Sequence, residues 1–408
     1  MRIGVGLHLL APDNGGVTNY ALTLMRLWPQ HAPDHPMVLF SFDHNDALLS
    51  TLPPATRRHE IRMRTQEDAL AHCENIDVYF CPFGTLWPRP FPKPSTLTFH
   101  DMQERFYPEH FTDKEKTERF FHYDWSLRMA DSVITVSHFT KSMAVALARI
   151  NGDKCHVVHH VPDELPPPQK PERFPFGDRP FVFYPANLWN HKNHARLVAA
   201  MERVCASDPD LALVCTGSLL NRSPQWEQWM NHSRFADRMA HIGRLTRPQI
   251  SWLYRNARAL VFPSLFEGFG IPLIEAMHAG CPIACARNTS QPEVAGEAAL
   301  YFDAENESSI AAAILRISRD DALRAQLQAA ATERIKLYSV RSFIDGHIQA
   351  FKSAIARHTS AQSWLNRNVR LPRSLVHRTS LKKWEKRRAD QLMAQSTRIP
   401  TGASAVES

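Results

Sequence analysis

Seven prolines fall between Pro162 and Pro180 and divide the chain into two halves of similar size. Proline fixes φ and lacks an N–H group, so a segment this rich in proline cannot continue a helix or a central strand. We therefore predict a linker over residues 166–179. The 408 residues are enough for two domains of about 100–200 residues each.

Short β-branched and aromatic runs alternate with helical stretches on both sides of this linker, a pattern typical of α/β proteins with parallel strands. Two such domains would leave a cleft between the carboxyl ends of their sheets, where ligands usually bind. The predicted strands are Arg2–Leu7, Met37–Phe42, Ile76–Cys81, Thr96–His100, Ser132–Ser137 and Cys155–His159 before the linker, and Phe181–Pro185, Leu211–Cys215, Met239–Ile242, Ala257–Phe262, Pro282–Cys285 and Ala299–Phe302 after it.

Two loops contain residues that could bind an anion. Gly15 and Gly16 lie between a strand and a helix, where backbone N–H groups and the helix dipole can face a phosphate. A tight turn that needs glycine explains the same pair equally well. Lys192 lies in a dense polar loop after the strand Phe181–Pro185, and a cation there could meet a bound anion. A solvated lysine is the alternative.

A third loop has the strongest pattern. A strand ends at Pro263, Gly270 shapes a turn, Pro272 suits a first helical turn and Gly280 suits a helix exit. The N–H groups of Phe269 to Ile271 would then point out of a helix start, ready for an anion.

Two carboxylates flank this helix start. Glu267 precedes the turn and Glu275 lies one turn inside the helix, so both could reach a ligand seated there. Carboxylates accept hydrogen bonds from paired hydroxyls, and a sugar or ribose edge would satisfy them. An ordinary turn acid and a dipole-balancing helix acid are the structural alternatives.

The segment Glu267-Gly-Phe-Gly-Ile-Pro-Leu-Ile-Glu275 resembles the two-glutamate signature of the family 4 retaining glycosyltransferases. That family has the GT-B fold, an α/β architecture of two Rossmann-like domains facing a central cleft. Similar motifs occur in the family's order over most of residues 1–358: Gly15-Gly16, His100-Asp101, residues 130–137, the Lys192 loop and Thr216-Gly-Ser218.

The resemblance implies a domain organisation. Residues 1–165 and 339–360 would form an N-terminal, acceptor-side domain. Residues 180–338 would form a C-terminal domain that binds the nucleotide sugar, and residues 361–408 would be a basic tail.

The resemblance also implies roles for residues. Glu275 would bind the ribose, Glu267 a hydroxyl of the transferred sugar, and Lys192 the diphosphate, while His100 would lie beside the donor sugar. The leaving phosphate would help to deprotonate the acceptor, so neither a metal nor a protein nucleophile is expected. The implied catalytic residues are His100, Glu267 and Lys192, and the implied donor-binding residues are Gly15, Gly16, Asn187, Lys192, Gly217, Ile242, Gly243, Ser264, Phe269, Gly270, Ile271 and Glu275.

Two positions depart from the family pattern. Asn187 stands where an arginine is common, and His159-His-Val-Pro-Asp163 replaces an Asn-Gly-Val-Asp turn. Similar asparagine-containing loops are associated with a subgroup acting in bacterial surface polysaccharide assembly (O-antigen or capsule).

The expected activity is therefore transfer of a hexose, mannose from GDP-mannose as the first choice, to a growing cell-surface glycan, with a lipid-linked glycan as the expected acceptor. A sugar-nucleotide epimerase of the same fold and an inactive scaffold that binds glycan or membrane stay open as alternatives.

Metal chemistry has weak support in the sequence. Asp208-Pro-Asp210 fits a two-aspartate metal motif, but proline between two acids before a strand is an ordinary turn. Seven scattered cysteines form neither a disulfide framework nor paired metal spacing, so we predict that most are buried hydrophobic residues. The histidines have no carboxylate or thiolate partner at a metal-site spacing.

The net charge of +7 belongs entirely to residues 361–408, since residues 1–360 carry equal numbers of acidic and basic side chains. The basic stretch 367–388 could contact anionic lipid, or it could be a solvated extension. It has few aromatic residues, so nucleic-acid binding is not expected. No run of about 18 apolar residues and no signal-peptide pattern occurs, which predicts a cytoplasmic protein, with peripheral attachment to the inner face of the plasma membrane left open.

Overall fold

The structure is a computed structural model, and it describes residues 1–12, 15–88, 91–219 and 223–358. The basic stretch 367–388, for which membrane contact and a solvated extension were both left open, lies outside them. The described chain divides into two compact units. The first comprises Met1–Val161 and the chain again from Ser339, and the second is Pro162–Tyr338.

The first unit has a parallel sheet in the order β3-β2-β1-β4-β5-β6-β7. Its strands are β1 (Ile3–Gly6), β2 (Met37–Ser41), β3 (Glu60–Arg62), β4 (Val78–Cys81), β5 (Ser95–Phe99), β6 (Ser132–Thr135) and β7 (Cys155–Val157). Its α-helices up to the linker are α1 (Gly15–His31), α2 (Asp46–Leu49), α3 (Gln66–Ala71), α4 (Gln103–Phe106), α5 (Asp113–Arg119), α6 (Trp125–Met129) and α7 (His138–Leu147), with a π-helical segment, Phe120–Asp124, between α5 and α6.

The second unit has a parallel sheet in the order β10-β9-β8-β11-β12-β13. Its strands are β8 (Phe181–Pro185), β9 (Ala212–Thr216), β10 (Met239–His241), β11 (Ala259–Phe262), β12 (Ile283–Ala286) and β13 (Ala299–Phe302). Its helices are α8 (His194–Ser207), α9 (Ser223–His232), α10 (Arg247–Asn256), α11 (Ile271–Ala279), α12 (Gln291–Ala295), α13 (Glu307–Arg319) and α14 (Asp321–Arg334). The helix that follows, α15 (Val340–Arg357), belongs to the first unit.

The twelve strands predicted from the sequence all form, with ends shifted by up to two residues. They were detectable because most are buried along their whole length, which requires continuous apolar runs. The prediction missed β3, a three-residue edge strand of sequence Glu-Ile-Arg. A partly exposed strand this short has no apolar run.

Helix α15 completes the core of the first unit. Its buried side chains include Phe343 and Phe351, which pack in the same core cluster as Tyr20 and Trp28 of α1. The core of this unit is therefore built from two segments separated by the entire second unit.

Two further features of the described chain concern cysteines and membranes. All seven cysteines are free and buried, which confirms the prediction that they act as small hydrophobic residues. No helix in the described ranges combines the length and apolarity that crossing a bilayer requires.

Candidate functional site

The predicted donor-binding residues of the second unit gather at one edge of its sheet. Because the strands are parallel, the loops that follow β8, β9, β10 and β11 all leave the sheet at its carboxyl edge. These loops contain Asn187 and Lys192, Gly217, Ile242 and Gly243, and Ser264 to Gly270. The sequence spacing alone could not show which of these side chains touch.

Lys192 and Glu267 form a direct ion pair. Lys192 Nζ lies 2.6 Å from Glu267 Oε1, and the two side chains are 18% and 12% exposed. Lys192 ends a short 3₁₀ turn, and its carbonyl accepts a hydrogen bond from the Tyr184 hydroxyl at 2.7 Å. Asn193 follows in the left-handed region at φ 61°, and its amide donates to the carbonyls of Pro263 and Ala304. The backbone on the lysine side of the pair is therefore fixed.

The loop that follows β12 fixes the backbone at Glu267. The Thr289 hydroxyl accepts from the Glu267 N–H at 3.2 Å, and the Ser290 hydroxyl lies 3.0 Å from the carbonyls of both Glu267 and Phe269. Ser264 is fully buried, and its hydroxyl lies 3.1 Å from the Tyr184 hydroxyl. Ser264 is thus linked through the Tyr184 hydroxyl to the Lys192 loop.

The predicted helix start after the glycine turn is present. Helix α11 begins at Ile271, directly after Gly270 with φ 99°, and it ends at Ala279, directly before Gly280 with φ 71°. A left-handed φ favours glycine at both ends. The first N–H groups of an α-helix have no acceptor within the helix, so the start of α11 offers donors and partial positive charge beside Glu267.

Glu275 is held by two side chains of α10. Arg247 Nη1 donates to Glu275 Oε1 at 2.6 Å, and the Tyr254 hydroxyl donates to Oε2 at 2.9 Å. Burial favours the neutral guanidine, but the Glu275 carboxylate holds the pKa of Arg247 above its usual value. Both carboxylate oxygens are therefore oriented from one side. Arg247 and Tyr254 were missed by the sequence analysis, since neither belongs to a motif and their contacts depend on how α10 packs on α11.

The loops after β8, β9 and β10 make close backbone contacts. The Gly217 N–H donates to the Gly243 carbonyl at 2.9 Å, and the Ile242 N–H donates to the Cys215 carbonyl. The Asn187 side-chain oxygen accepts from the Ser218 N–H at 2.8 Å. The Asn187 side chain therefore stabilises the loop after β9. In the family that the sequence resembles, an arginine is common at this position.

Replacing Gly217 with alanine is expected to destabilise the second unit by about 2 kcal/mol or more. Gly217 has φ 122°, and an added Cβ would lie 2.7 Å from the Ala186 carbonyl oxygen. Gly177→Ala is the matched control, because Gly177 also has a positive φ, of 58°, but has no atom within 4 Å of the added Cβ. Urea denaturation of both variants measures the difference, and equal losses of stability would refute the close approach.

In the first unit, His100 follows β5 and is held by hydrogen bonding and packing. Its Nε2 lies 2.7 Å from the Pro82 carbonyl. A carbonyl only accepts, so Nε2 carries the proton. Burial lowers the pKa of His100, which keeps the ring neutral at pH 7. Its ring packs edge-on against Tyr20, with centroids 5.1 Å apart.

A chain of buried hydrogen bonds fixes Tyr20 in turn. His347 Nδ1 lies 2.7 Å from the Phe343 carbonyl, so His347 donates there and its Nε2 accepts from the Tyr20 hydroxyl at 2.5 Å. The Tyr20 oxygen then accepts from Thr98 at 2.7 Å. Gly15, with φ 53°, begins α1, and Gly16 is exposed in its first turn. Within the first unit, Gly15 and Gly16 follow β1 and His100 follows β5, so they lie on the carboxyl side of these strands.

A buried acid follows His100. Glu104 is 3% exposed, and its carboxylate oxygens lie 3.6 Å from Arg105 Nε and 3.6 Å from Arg119 Nη1. Arg105 is also paired with Asp124 of the π-helical segment at 2.7 Å. Burial raises the pKa of Glu104 to about 7, and the two arginines only partly oppose this effect.

Glu104→Gln is expected to stabilise the protein relative to the wild type as the pH rises. The folded pKa is raised, so the stabilising contribution of the protonated carboxyl is present below about pH 4.5 and is lost as the pH passes through about 7. The difference in unfolding free energy between variant and wild type should shift by up to about 3 kcal/mol between about pH 5 and about pH 8. Urea denaturation at both pH values checks this, with the exposed Glu118→Gln as control. A shift of the opposite sign would contradict the burial effect.

Comparisons with known proteins identify the class of protein. The structure of HepE from Anabaena in complex with UDP and glucose is similar, with a TM-score of 0.68 at 16% sequence identity over 86% of this chain and 100% of that chain. Two units with parallel sheets and this similarity define a GT-B fold, as predicted.

The family follows from the sequence models. The model described as Glycosyltransferase Family 4 matches residues 14–164, and the model described as Glycosyl transferases group 1 matches residues 167–334. Together they span more than half of the chain. The chain belongs to the family 4 glycosyltransferases.

Two curated relatives are similar along most of their length. O-antigen chain mannosyltransferase B of Escherichia coli is 27% identical over 272 residues, which are 63% of this chain and 70% of that protein. O-antigen chain mannosyltransferase RfbU of Salmonella typhimurium is 28% identical over 230 residues, which are 56% of this chain and 62% of that protein. The prediction of a hexosyltransferase is confirmed at the level of this family. The roles predicted for individual residues stay predictions.

Proposed function

We propose that the protein transfers mannose from GDP-mannose to a growing, lipid-linked cell-surface glycan with retention of anomeric configuration and without a metal ion. The observation that carries the proposal is the Lys192–Glu267 pair beside the amino end of α11. The choice of mannose and of an O-antigen glycan is supported by the names of the two bacterial relatives.

The proposed mechanism depends on where negative charge develops during sugar transfer. As the bond from the sugar to the diphosphate breaks, negative charge grows on the leaving phosphate. Lys192 and the N–H groups at the start of α11 would stabilise that charge, and fixed donors of this kind supply much of the rate enhancement in many enzymes. A leaving phosphate oxygen would take the proton of the attacking hydroxyl on the same face of the sugar. The chain then supplies positioning and charge stabilisation, and no protein nucleophile is needed.

The two carboxylates would orient the donor. Glu267 has a second oxygen beyond the one that meets Lys192, and it could accept from a sugar hydroxyl. Glu275, fixed by Arg247 and Tyr254, would accept from the ribose. Hydrogen bonds to a carboxylate are worth about 1.5–3 kcal/mol each. The placement of His100 beside the donor sugar stays a prediction.

The test is a donor and acceptor screen with the purified protein. GDP-mannose, UDP-glucose, UDP-N-acetylglucosamine and ADP-glucose are each offered with and without a lipid-linked mannan acceptor, and the release of nucleotide diphosphate is measured. We expect acceptor-dependent release of GDP from GDP-mannose, an α-linked product by NMR, and unchanged rates in EDTA.

Other outcomes of the screen identify the alternatives. Interconversion of the sugar nucleotide without acceptor would indicate an epimerase. Thermal stabilisation by a nucleotide without any turnover would indicate a binding scaffold. Loss of activity in EDTA that Mg²⁺ restores would refute metal independence.

A further inference from the structure

A cavity lies at the amino edge of the sheet of the second unit, opposite the edge that carries the predicted donor site. It has a volume of about 400 Å³ and is lined by the segment before β8, the residues that precede β11 and β12, and parts of α10 and α14. We call it the amino-edge cavity, defined by Lys170, Phe174, Arg179, Trp252, Arg258 and Arg324. Neither the family resemblance nor the proposed reaction uses it.

Two arginine side chains of this cavity have no acidic or hydrogen-bonding partner among the described residues. In the described chain, the side chains of Arg179 and Arg258 form neither an ion pair nor a hydrogen bond, and Arg179 Nη1 is buried without an acceptor. A buried donor without an acceptor is costly. The pocket therefore lacks an acceptor for Arg179.

A third arginine adds to the imbalance. Arg324 donates to the carbonyls of Ile317 and Ser318 at the end of α13 and is paired with Asp321. Burial, followed by the charge of Arg258, lowers the pKa of Arg324, so the two guanidinium groups repel each other. An anion bound by Arg258 would reduce this repulsion.

The remaining wall is aromatic. The Trp252 ring is stacked on Phe181 and meets Phe174 edge-on with centroids 5.1 Å apart. Lys170 Nζ lies 5.5 Å from the Trp252 centroid and 3.9 Å from Asp178, whose side chain is fully exposed. The wall thus combines an apolar surface with a cation at its rim.

We propose that the amino-edge cavity binds a phosphate-bearing anion through Arg179 and Arg258. Guanidinium groups match the geometry of phosphate oxygens in paired hydrogen bonds. The phosphate belongs either to a soluble phosphorylated metabolite or to a phospholipid headgroup, and both offer the same chemistry. Because β8 separates the two edges by five residues, or about 17 Å, this ligand does not compete with the nucleotide sugar.

The test measures binding of inorganic pyrophosphate by calorimetry. The parent protein carries Lys192→Ala, which removes the cation of the predicted donor site, and each arginine variant is compared with this parent. We expect saturable binding that weakens about ten-fold or more when Arg258→Ala is added, and again when Arg179→Ala is added. Arg258 is exposed, so its replacement leaves the core intact. Arg203→Ala is the control, because Arg203 is exposed and paired with Glu307 outside the cavity.

A second arm separates the two sources of phosphate. Flotation with vesicles of phosphatidylglycerol and phosphatidylcholine, compared with phosphatidylcholine alone, is repeated with each variant. Vesicle binding that depends on Arg179 and Arg258 identifies a lipid headgroup, and pyrophosphate binding without it identifies a soluble ligand. Absence of saturable binding in both arms, or a dissociation constant that is unchanged in the double arginine variant, overturns the proposal. Neither result depends on whether the protein transfers mannose.

Discussion

Lys192→Ala is expected to lower kcat/KM for the nucleotide sugar by about 10²–10³-fold, the usual loss when one fixed donor to a developing negative charge is removed. Its Nζ is held 2.6 Å from Glu267 beside the start of α11, so the charge is oriented before the donor binds. Steady-state kinetics with the best donor from the screen measure the change. Lys336→Ala is the control, because Lys336 is exposed and paired with Glu333 on the protein surface.

The Lys192–Glu267 ion pair also predicts how a double variant behaves. If Lys192 and Glu267 act as a unit, the double variant Lys192→Ala, Glu267→Ala should lose much less than the product of the two single losses. Single losses that multiply to give the double loss would show that Lys192 and Glu267 contribute independently of their ion pair. A wild-type value of kcat/KM for Lys192→Ala, in a folded protein, would remove the lysine from the reaction altogether.

Glu275→Gln is expected to weaken donor binding about 10- to 100-fold, because the ribose would lose a charge-assisted acceptor worth about 1.5–3 kcal/mol. The change is nearly isosteric. It should affect binding more than folding, although Arg247 and Tyr254 lose their carboxylate partner. Calorimetry with the nucleotide diphosphate gives the dissociation constant directly, so a change in kcat cannot obscure it. Glu333→Gln, an exposed glutamate of α14, is the control.

The variant Tyr254→Phe tests the orientation of the Glu275 carboxylate separately from its charge. It leaves the Glu275 carboxylate and its Arg247 contact in place and removes only the hydrogen bond to Oε2. A neutral hydrogen bond is worth about 0.5–1.5 kcal/mol, so the loss of affinity should be several-fold at most. Unchanged affinity in Glu275→Gln would refute the ribose contact, whatever Tyr254→Phe does.

The sequence was sufficient to predict the sheets and the edge at which the candidate site lies. Buried parallel strands need continuous apolar runs, so their places along the chain could be read directly. The two ends of α11 could also be predicted, because Gly270 and Gly280 adopt positive φ values that other residues avoid.

Contacts between elements could not be predicted in the same way. Lys192 and Glu267 appeared in separate motifs, and nothing in their spacing of 75 residues showed that they would meet. Arg247 lies 28 residues before Glu275 on another helix, and its role depends on the packing of α10 against α11. The amino-edge cavity also has no motif, since Arg179 and Arg258 precede two different strands and Arg324 lies in α14.

Helix α15 affects how the protein can be made. Phe351 packs against Trp28 and Phe80, with ring centroids 5.9 and 5.1 Å apart, yet it is translated only after the whole second unit. A nascent chain that has left the ribosome as far as Val161 therefore still exposes the apolar groove that this helix fills. The second unit has all its strands together and can fold first, so the order of folding should be the reverse of the order of synthesis.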